Sequence, residues 1–135
     1  MGIKIESTDI TPSSRIAMGV KGINLAAGDE VIAALPVRNT TDKLSLFSSY
    51  GLGKRVPLTD IPLQKRAGKG LICYKTGDSN GYVTAATLLA DDDILLIIGD
   101  KSSICIEAKE IPEGSRSMIG NILIKDNKIL SVSKV

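Results

Sequence analysis

Gln64-Lys65-Arg66-Ala67-Gly68-Lys69-Gly70 gathers three cations and two glycines into seven residues. Glycine lets a backbone approach an anion closely and expose its N–H groups, while lysine and arginine on the same loop supply charge. The chemistry this suits is the binding of phosphate. Lys54 and Arg55 precede the turn by about ten residues, a hairpin's distance, so both clusters are expected on one rim. Lys75, Lys21 and Arg15 would extend that basic track onto neighbouring segments. Arg15, Arg66 and Arg116 each open an Arg-x-x-x-Gly pattern, at 15–19, 66–70 and 116–120. Because the arginine recurs even where no other cation is near, a hydrogen bond between structural units fits it as well as a phosphate contact. Tyr50, Tyr74 and Tyr82 offer rings that either pack on strand faces or stack on bases.

Other chemistry is excluded by composition. The chain has no His, which removes the commonest general acid–base group and the commonest nitrogen ligand for metals. Cys73 and Cys105 are too few for a disulfide framework or a zinc cluster and are expected as buried free thiols. Gly51-Leu52-Gly53-Lys54-Arg55 lacks the spacing and the Ser/Thr of a P-loop, and Val56 stands where a dinucleotide fingerprint needs its third glycine. Asp91-Asp92-Asp93 reads as a turn rather than a cation site. No cofactor, no metal and no catalytic activity are expected. The longest wholly apolar run, Ile94–Ile98, is far too short to cross a membrane, and Met1 is not followed by a basic and then apolar signal. A cytoplasmic protein without membrane contact is expected. The net charge of +2 says little alone, so the distribution of charge matters more.

The elements that must position these residues are set by an internal repeat. A shift of 50 residues lays Asp42–Lys75 over Asp92–Lys125 without a gap, with Leu46/Leu96, Ile61/Ile111, Pro62/Pro112, Arg66/Arg116 and Gly70/Gly120 identical. A shift of 101 lays Ile3–Gly19 over Ile104–Gly120. Within the last copy, Ile94–Ile98 reads as a strand buried on both faces. The pairs Ile104/Ile106, Ile122/Ile124 and Leu130/Val132 alternate with polar neighbours as half-buried strands do. Turn-forming groups such as Pro112-Glu113-Gly114-Ser115 separate them. Ala85–Ala90 is flanked by Gly81 and the aspartates, and is expected as a strand rather than a helix.

The chain is therefore expected to be all-β and propeller-like, with about three four-stranded repeats of roughly 50 residues, the spacing of a propeller blade. The copies run 1–40 (incomplete), 41–90 and 91–135 within one repeat domain. The first copy lacks a match to Asp92–Ile98. A blade cannot bury both faces alone, so the ring is expected to close internally, to close through a second copy, or to belong to a larger ring.

The segment Ser49–Gly70 resembles one blade of the C-terminal domain of the DNA gyrase A protein and its topoisomerase IV counterpart. The flanking copies look similar, so the resemblance covers essentially the whole chain. In that family gyrases carry a box of the form Gln-(Arg/Lys)-Arg-Gly-Gly-(Arg/Lys)-Gly. Here Gln64, Lys65, Arg66, Gly68, Lys69 and Gly70 match it, and Ala67 stands where the pattern has Gly. If that position needs a positive φ, alanine there costs about 1 kcal/mol or more. The resemblance implies a strand-exchanged propeller, the β-pinwheel. It also implies binding, bending or wrapping of duplex DNA without sequence specificity, accessory to type IIA topoisomerase action in the cytoplasm at the nucleoid. Implied partners are duplex DNA, topoisomerase subunits or a second copy of the chain. The cleavage chemistry of such enzymes has no counterpart among these residues. The other reading is a small propeller serving as a protein-interaction scaffold.

Overall fold

The computed structural model describes residues 1–135. Seven strands form two antiparallel sheets. The second repeat supplies β1 (Lys43–Ser48), β2 (Leu52–Pro57) and β3 (Val83–Leu89); the third supplies β4 (Ile94–Gly99), β5 (Ser103–Glu107), β6 (Asn121–Ile122) and β7 (Ile129–Lys134). One sheet has the order β3-β1-β2-β6 and the other β5-β4-β7. The first sheet thus borrows β6 from the next repeat, pairing Leu52 with Ile122 and Gly53 with Asn121. This is the strand exchange of a pinwheel. No helix is long and apolar enough to cross a membrane.

The strand pattern follows from burial. The first sheet is covered on both faces, so β1 and β2 bury nearly every residue. Phe47 and Ala85 of its one face meet Leu95, Ile97 and Ile129 of the second sheet. Leu46 and Val56 on the other face pack with Ile61, Cys73 and Tyr74. With so few aromatics the core is filled by aliphatic side chains, and the β-branched ones suit a pleated surface. Short 3-10 turns recur at Ser7–Asp9, Leu58–Asp60 and Ala108–Glu110, equivalent places in the three repeats. The first repeat contributes isolated bridges rather than named strands, Gly2 to Leu71 and Lys4 to Leu63.

One expectation is corrected. Cys73 is buried, but Cys105 is exposed because it points outward from β5, between the inward Ile104 and Ile106. Of the tyrosines only Tyr74 is buried; Tyr50 and Tyr82 are about half exposed, and the Lys128 ammonium lies 5.3 Å from the Tyr82 ring centre.

Successive repeats are joined the same way twice. Gly2 and Leu71 exchange N–H···O bonds of 2.7 Å. Fifty residues on, Gly53 faces Asn121, and the Leu123 N–H donates to the Gly51 carbonyl at 2.8 Å. Gly70 and Gly120 both hold positive φ, 77° and 95°. A Cβ on either would lie 2.5 Å from a carbonyl oxygen of the preceding repeat, that of Gly2 or Gly53. Only glycine combines this conformation with that approach.

Side chains reinforce the junction. Lys54 is wholly buried, and its ammonium donates to the carbonyls of Arg116 (2.6 Å) and Met118 (2.7 Å) while lying 5.6 Å from the Tyr74 ring centre. Burial pushes its pKa down, since no carboxylate offsets the lost hydration. Arg55 donates through Nε to the Ile111 carbonyl at 2.8 Å and pairs through its guanidinium with Asp91. Lys43 bridges Asp91 (2.8 Å) and Glu113 (2.7 Å). The Lys43 ammonium first, and then the Arg55 guanidinium, hold the Asp91 carboxyl below its ordinary value of 3.8.

These contacts generate two predictions. Replacing Lys54 by Ala strands two carbonyls in the junction and is expected to lower unfolding stability by about 1–3 kcal/mol. The check is the urea midpoint at unchanged m; an unmoved midpoint would show that the carbonyls need no lysine. For Asp91 the folded pKa is depressed, so its contribution is present above the ordinary value and is lost as pH falls through the folded one. Asp91→Asn should therefore flatten the acid limb of a stability–pH curve below about pH 4. An acid limb as steep as in the parent protein would remove Asp91 from the account.

Candidate nucleic-acid interface

The turn at 64–70 is built from backbone that the neighbouring repeat has already engaged. The Gln64 N–H donates to the Lys4 carbonyl (2.8 Å) and the Ala67 N–H to the Gly22 carbonyl (2.8 Å). The Gly68 carbonyl accepts from the Asn24 N–H at 2.8 Å. The Arg66 guanidinium donates to the carbonyls of Lys21 (2.8 Å) and Asp9 (3.2 Å). Arg66 thus pins its turn to the first repeat. Arg116 does the same one repeat later, reaching the Ile72 carbonyl at 3.1 Å. Arg15 is exposed.

Ala67 adopts φ +67°, so the position does require the left-handed region. Alanine there carries a strain of about 1–2 kcal/mol that glycine would not. Gly68, by contrast, has no need to be glycine for space. A Cβ there would meet nothing closer than 3.4 Å.

Once these bonds are made, the cations of the turn divide into two groups. Lys65 and Lys69 are exposed and form no hydrogen bond or ion pair, whereas Arg66 is half-buried and spent on carbonyls. Lys21 is exposed beside the same junction, its carbonyl held by Arg66. Lys75 is exposed too, and shares an open cleft of about 640 Å³ with Arg116, Asp60, Ile72, Ser115 and Ser117. The equivalent turns of the other repeats carry a single cation each, Arg15 and Arg116. Among these three equivalent turns, that of the second repeat therefore carries the densest positive charge.

Lys54 and Arg55 do not share a rim with this turn. They are 0% and 5% exposed, and both are committed to the opposite junction, with the third repeat. The expectation fails because charge does not by itself mean surface. A signal to the contrary lies in the repeat itself. Lys54 occupies the position of Ile3 and Ile104, an inward one on its strand, and only the internal alignment discloses it. Nothing in the sequence singles out Lys43, because its partners Asp91 and Glu113 lie far along the chain. The aspartate run is a turn, with Asp91 in ion pairs and Asp93 accepting from the Ala90 N–H at 2.8 Å.

The chain is similar to known proteins. The family model described as "DNA gyrase C-terminal domain, beta-propeller" matches residues 1–38 and 42–90. The DNA gyrase A proteins of Staphylococcus aureus strains MRSA252 and NCTC 8325 / PS 47 are 31% identical over 138 residues, covering 98% of this chain. The chain spans 16% of the length of those relatives. Among solved structures, the crystal structure of the C-terminal domain of DNA topoisomerase IV superimposes with a TM-score of 0.91 at 20% identity, covering 98% of this chain and 43% of that one. The DNA gyrase A C-terminal domain does so with a TM-score of 0.85 at 28% identity, covering 95% and 45%. The repeat and the strand exchange agree with this match: the chain belongs to the DNA gyrase C-terminal domain family and has its β-pinwheel fold.

Proposed function

We propose that the chain binds duplex DNA through its phosphates, without reading sequence, as a non-catalytic module accessory to a type IIA topoisomerase. The observation that carries this reading is the exposure of Lys65 and Lys69 on a turn whose arginine and backbone are already bonded within the protein. Those two ammonium groups are held on a rigid support and left to solvent, which is the arrangement an anionic backbone needs. Lys21 beside the turn and Lys75 in the next cleft continue the track. Gln64, Gly68 and Gly70 act by shaping the turn, Arg66 by anchoring it, and Arg116 by anchoring the equivalent turn of the next repeat. Lys54 and Arg55 take no direct part, because a buried ammonium cannot reach phosphate without breaking its junction. The family membership supports a nucleoid setting in the cytoplasm and association with topoisomerase subunits.

Contacts of this kind act through charge and counterion release, so affinity falls steeply with salt. Bending would come from contacts spread along a curved rim. The buried Lys54 and Arg55 and the modest net charge of +2 favour a second reading, a protein-interaction scaffold.

Fluorescence anisotropy with a duplex of about 40 base pairs decides between them, because each phosphate contact adds about 0.9 to the slope of log affinity against log salt. Lys65→Ala/Lys69→Ala should reduce that slope by roughly 2 and leave the fold intact. No binding at low salt by the folded protein would leave the scaffold in possession.

A further inference from the structure

The loop that leads into β3 is four residues longer than its counterpart before β7, measured from the equivalent lysines Lys75 and Lys125. Extra residues in one repeat fall in loops, and such loops often carry binding. These residues are firmly held. Gly77 and Gly81 bond to each other's backbone, with N–H···O distances of 2.8 and 3.2 Å. Asn80 is buried; its carbonyl accepts from the Tyr74 hydroxyl at 2.7 Å, and its side-chain amide donates to the Lys75 carbonyl at 3.0 Å. A Cβ on Gly81 would lie 3.2 Å from the Tyr50 ring, so the loop rests directly on the tip of the β1–β2 hairpin. Tyr82 is fixed to the same tip. Its N–H donates to the Ser49 hydroxyl at 3.1 Å, and its carbonyl accepts from the Ser49 N–H at 2.9 Å.

Loop and hairpin tip border an open pocket of about 270 Å³, and every residue that lines it lies between Ser49 and Tyr82. Tyr50 and Tyr82 line it with rings that are about half exposed. Asp78 lines it as well, exposed and in no ion pair. Thr76 adds a hydroxyl, and no lysine or arginine is among the lining residues. The third repeat treats the corresponding tip differently. There Lys128 stands where Tyr82 stands, its carbonyl accepting from the Asp100 N–H at 3.0 Å. Asn127 closes the tip through Oδ1, which accepts from the N–H groups of Lys101 (2.9 Å) and Ser102 (3.0 Å). The shared repeat therefore does not require the two rings or the unpaired carboxylate.

We infer that this pocket receives an arginine side chain of a protein partner. A guanidinium is planar and weakly hydrated, stacks on tyrosine faces and forks onto a carboxylate. Tyr50, Tyr82 and Asp78 offer those two kinds of contact in one place. A lysine ammonium, a strongly hydrated point charge, matches the paired rings less well. The Tyr82 ring already stands 5.3 Å from the Lys128 ammonium, so its π system is placed to meet cations. The Asp78 carboxylate opposes a phosphate here, which sets the pocket apart from the turn that carries Lys65 and Lys69. Because the loop is bonded in place, little of it has to be ordered on binding. None of the residues to which DNA binding is assigned takes part, so the two readings stand or fall separately.

The test is an NMR titration of the whole chain with an arginine tripeptide flanked by glycines and capped at both ends. The expected result is a saturable shift of the Tyr50 and Tyr82 ring signals and of the Gly77 and Asp78 amides. The same peptide with citrulline in place of arginine keeps the shape and loses the charge, and should leave those signals unmoved. Asp78→Asn changes an exposed loop residue. It should weaken binding about tenfold, the loss expected for a charge-assisted hydrogen bond, while the strand amides keep their positions. Three outcomes would overturn the inference: no saturable shift, an equal response to the citrulline peptide, or full affinity in Asp78→Asn. Free arginine binding far more tightly than the capped peptide would assign the pocket to a small molecule and overturn the protein partner.

Discussion

Glycine at one point in the second and in the third repeat lets two backbones come closer than any side chain would permit. Gly70 against the Gly2 carbonyl and Gly120 against the Gly53 carbonyl set the distance between repeats, and the strand bonds on either side follow from it. Arg66 and Arg116 then reach back across the same gap to carbonyls of the preceding repeat. The rest of the architecture depends on this contact. Without it β6, only two residues long, would have no sheet to join.

The junction also explains why the basic residues divide as they do. Inside it, Lys54 and Arg55 lose hydration and regain carbonyls, a π face and Asp91. A buried cation tolerates this only when each donor finds a partner. Outside it, Lys65 and Lys69 keep their hydration and remain free for an external anion. Residues of one type therefore differ within a single repeat, one pair spent on the junction and one pair unpaired. Under the proposed function, the pinning of the turn would lower the ordering cost of binding.

Much of this is legible from the residues alone. The apolar run at Ile94–Ile98 and the alternation at Ile104/Ile106 and Leu130/Val132 mark β4, β5 and β7, because the side-chain period of a strand is local. The exchange of β6 into the preceding sheet is not local. It becomes an expectation only through family resemblance, and the geometry of the pairing is what establishes it. Lys54 and Arg55 are misplaced by sequence reasoning for a related reason: polarity predicts exposure one residue at a time, whereas burial is decided by what the next repeat brings. Ala67 shows the intermediate case. Its strain is foreseeable on the condition that the turn is left-handed, and φ +67° supplies that condition.

Native-state hydrogen exchange at the junction amides probes this dependence most directly. The N–H groups of Leu71, Gly114 and Leu123, bonded to the carbonyls of Gly2, Arg55 and Gly51, should exchange with the amides of β1 as one cooperative unit. Exchange of those three at the rate of an open loop, while β1 stays protected, would show that the repeats stand independently and would contradict the account.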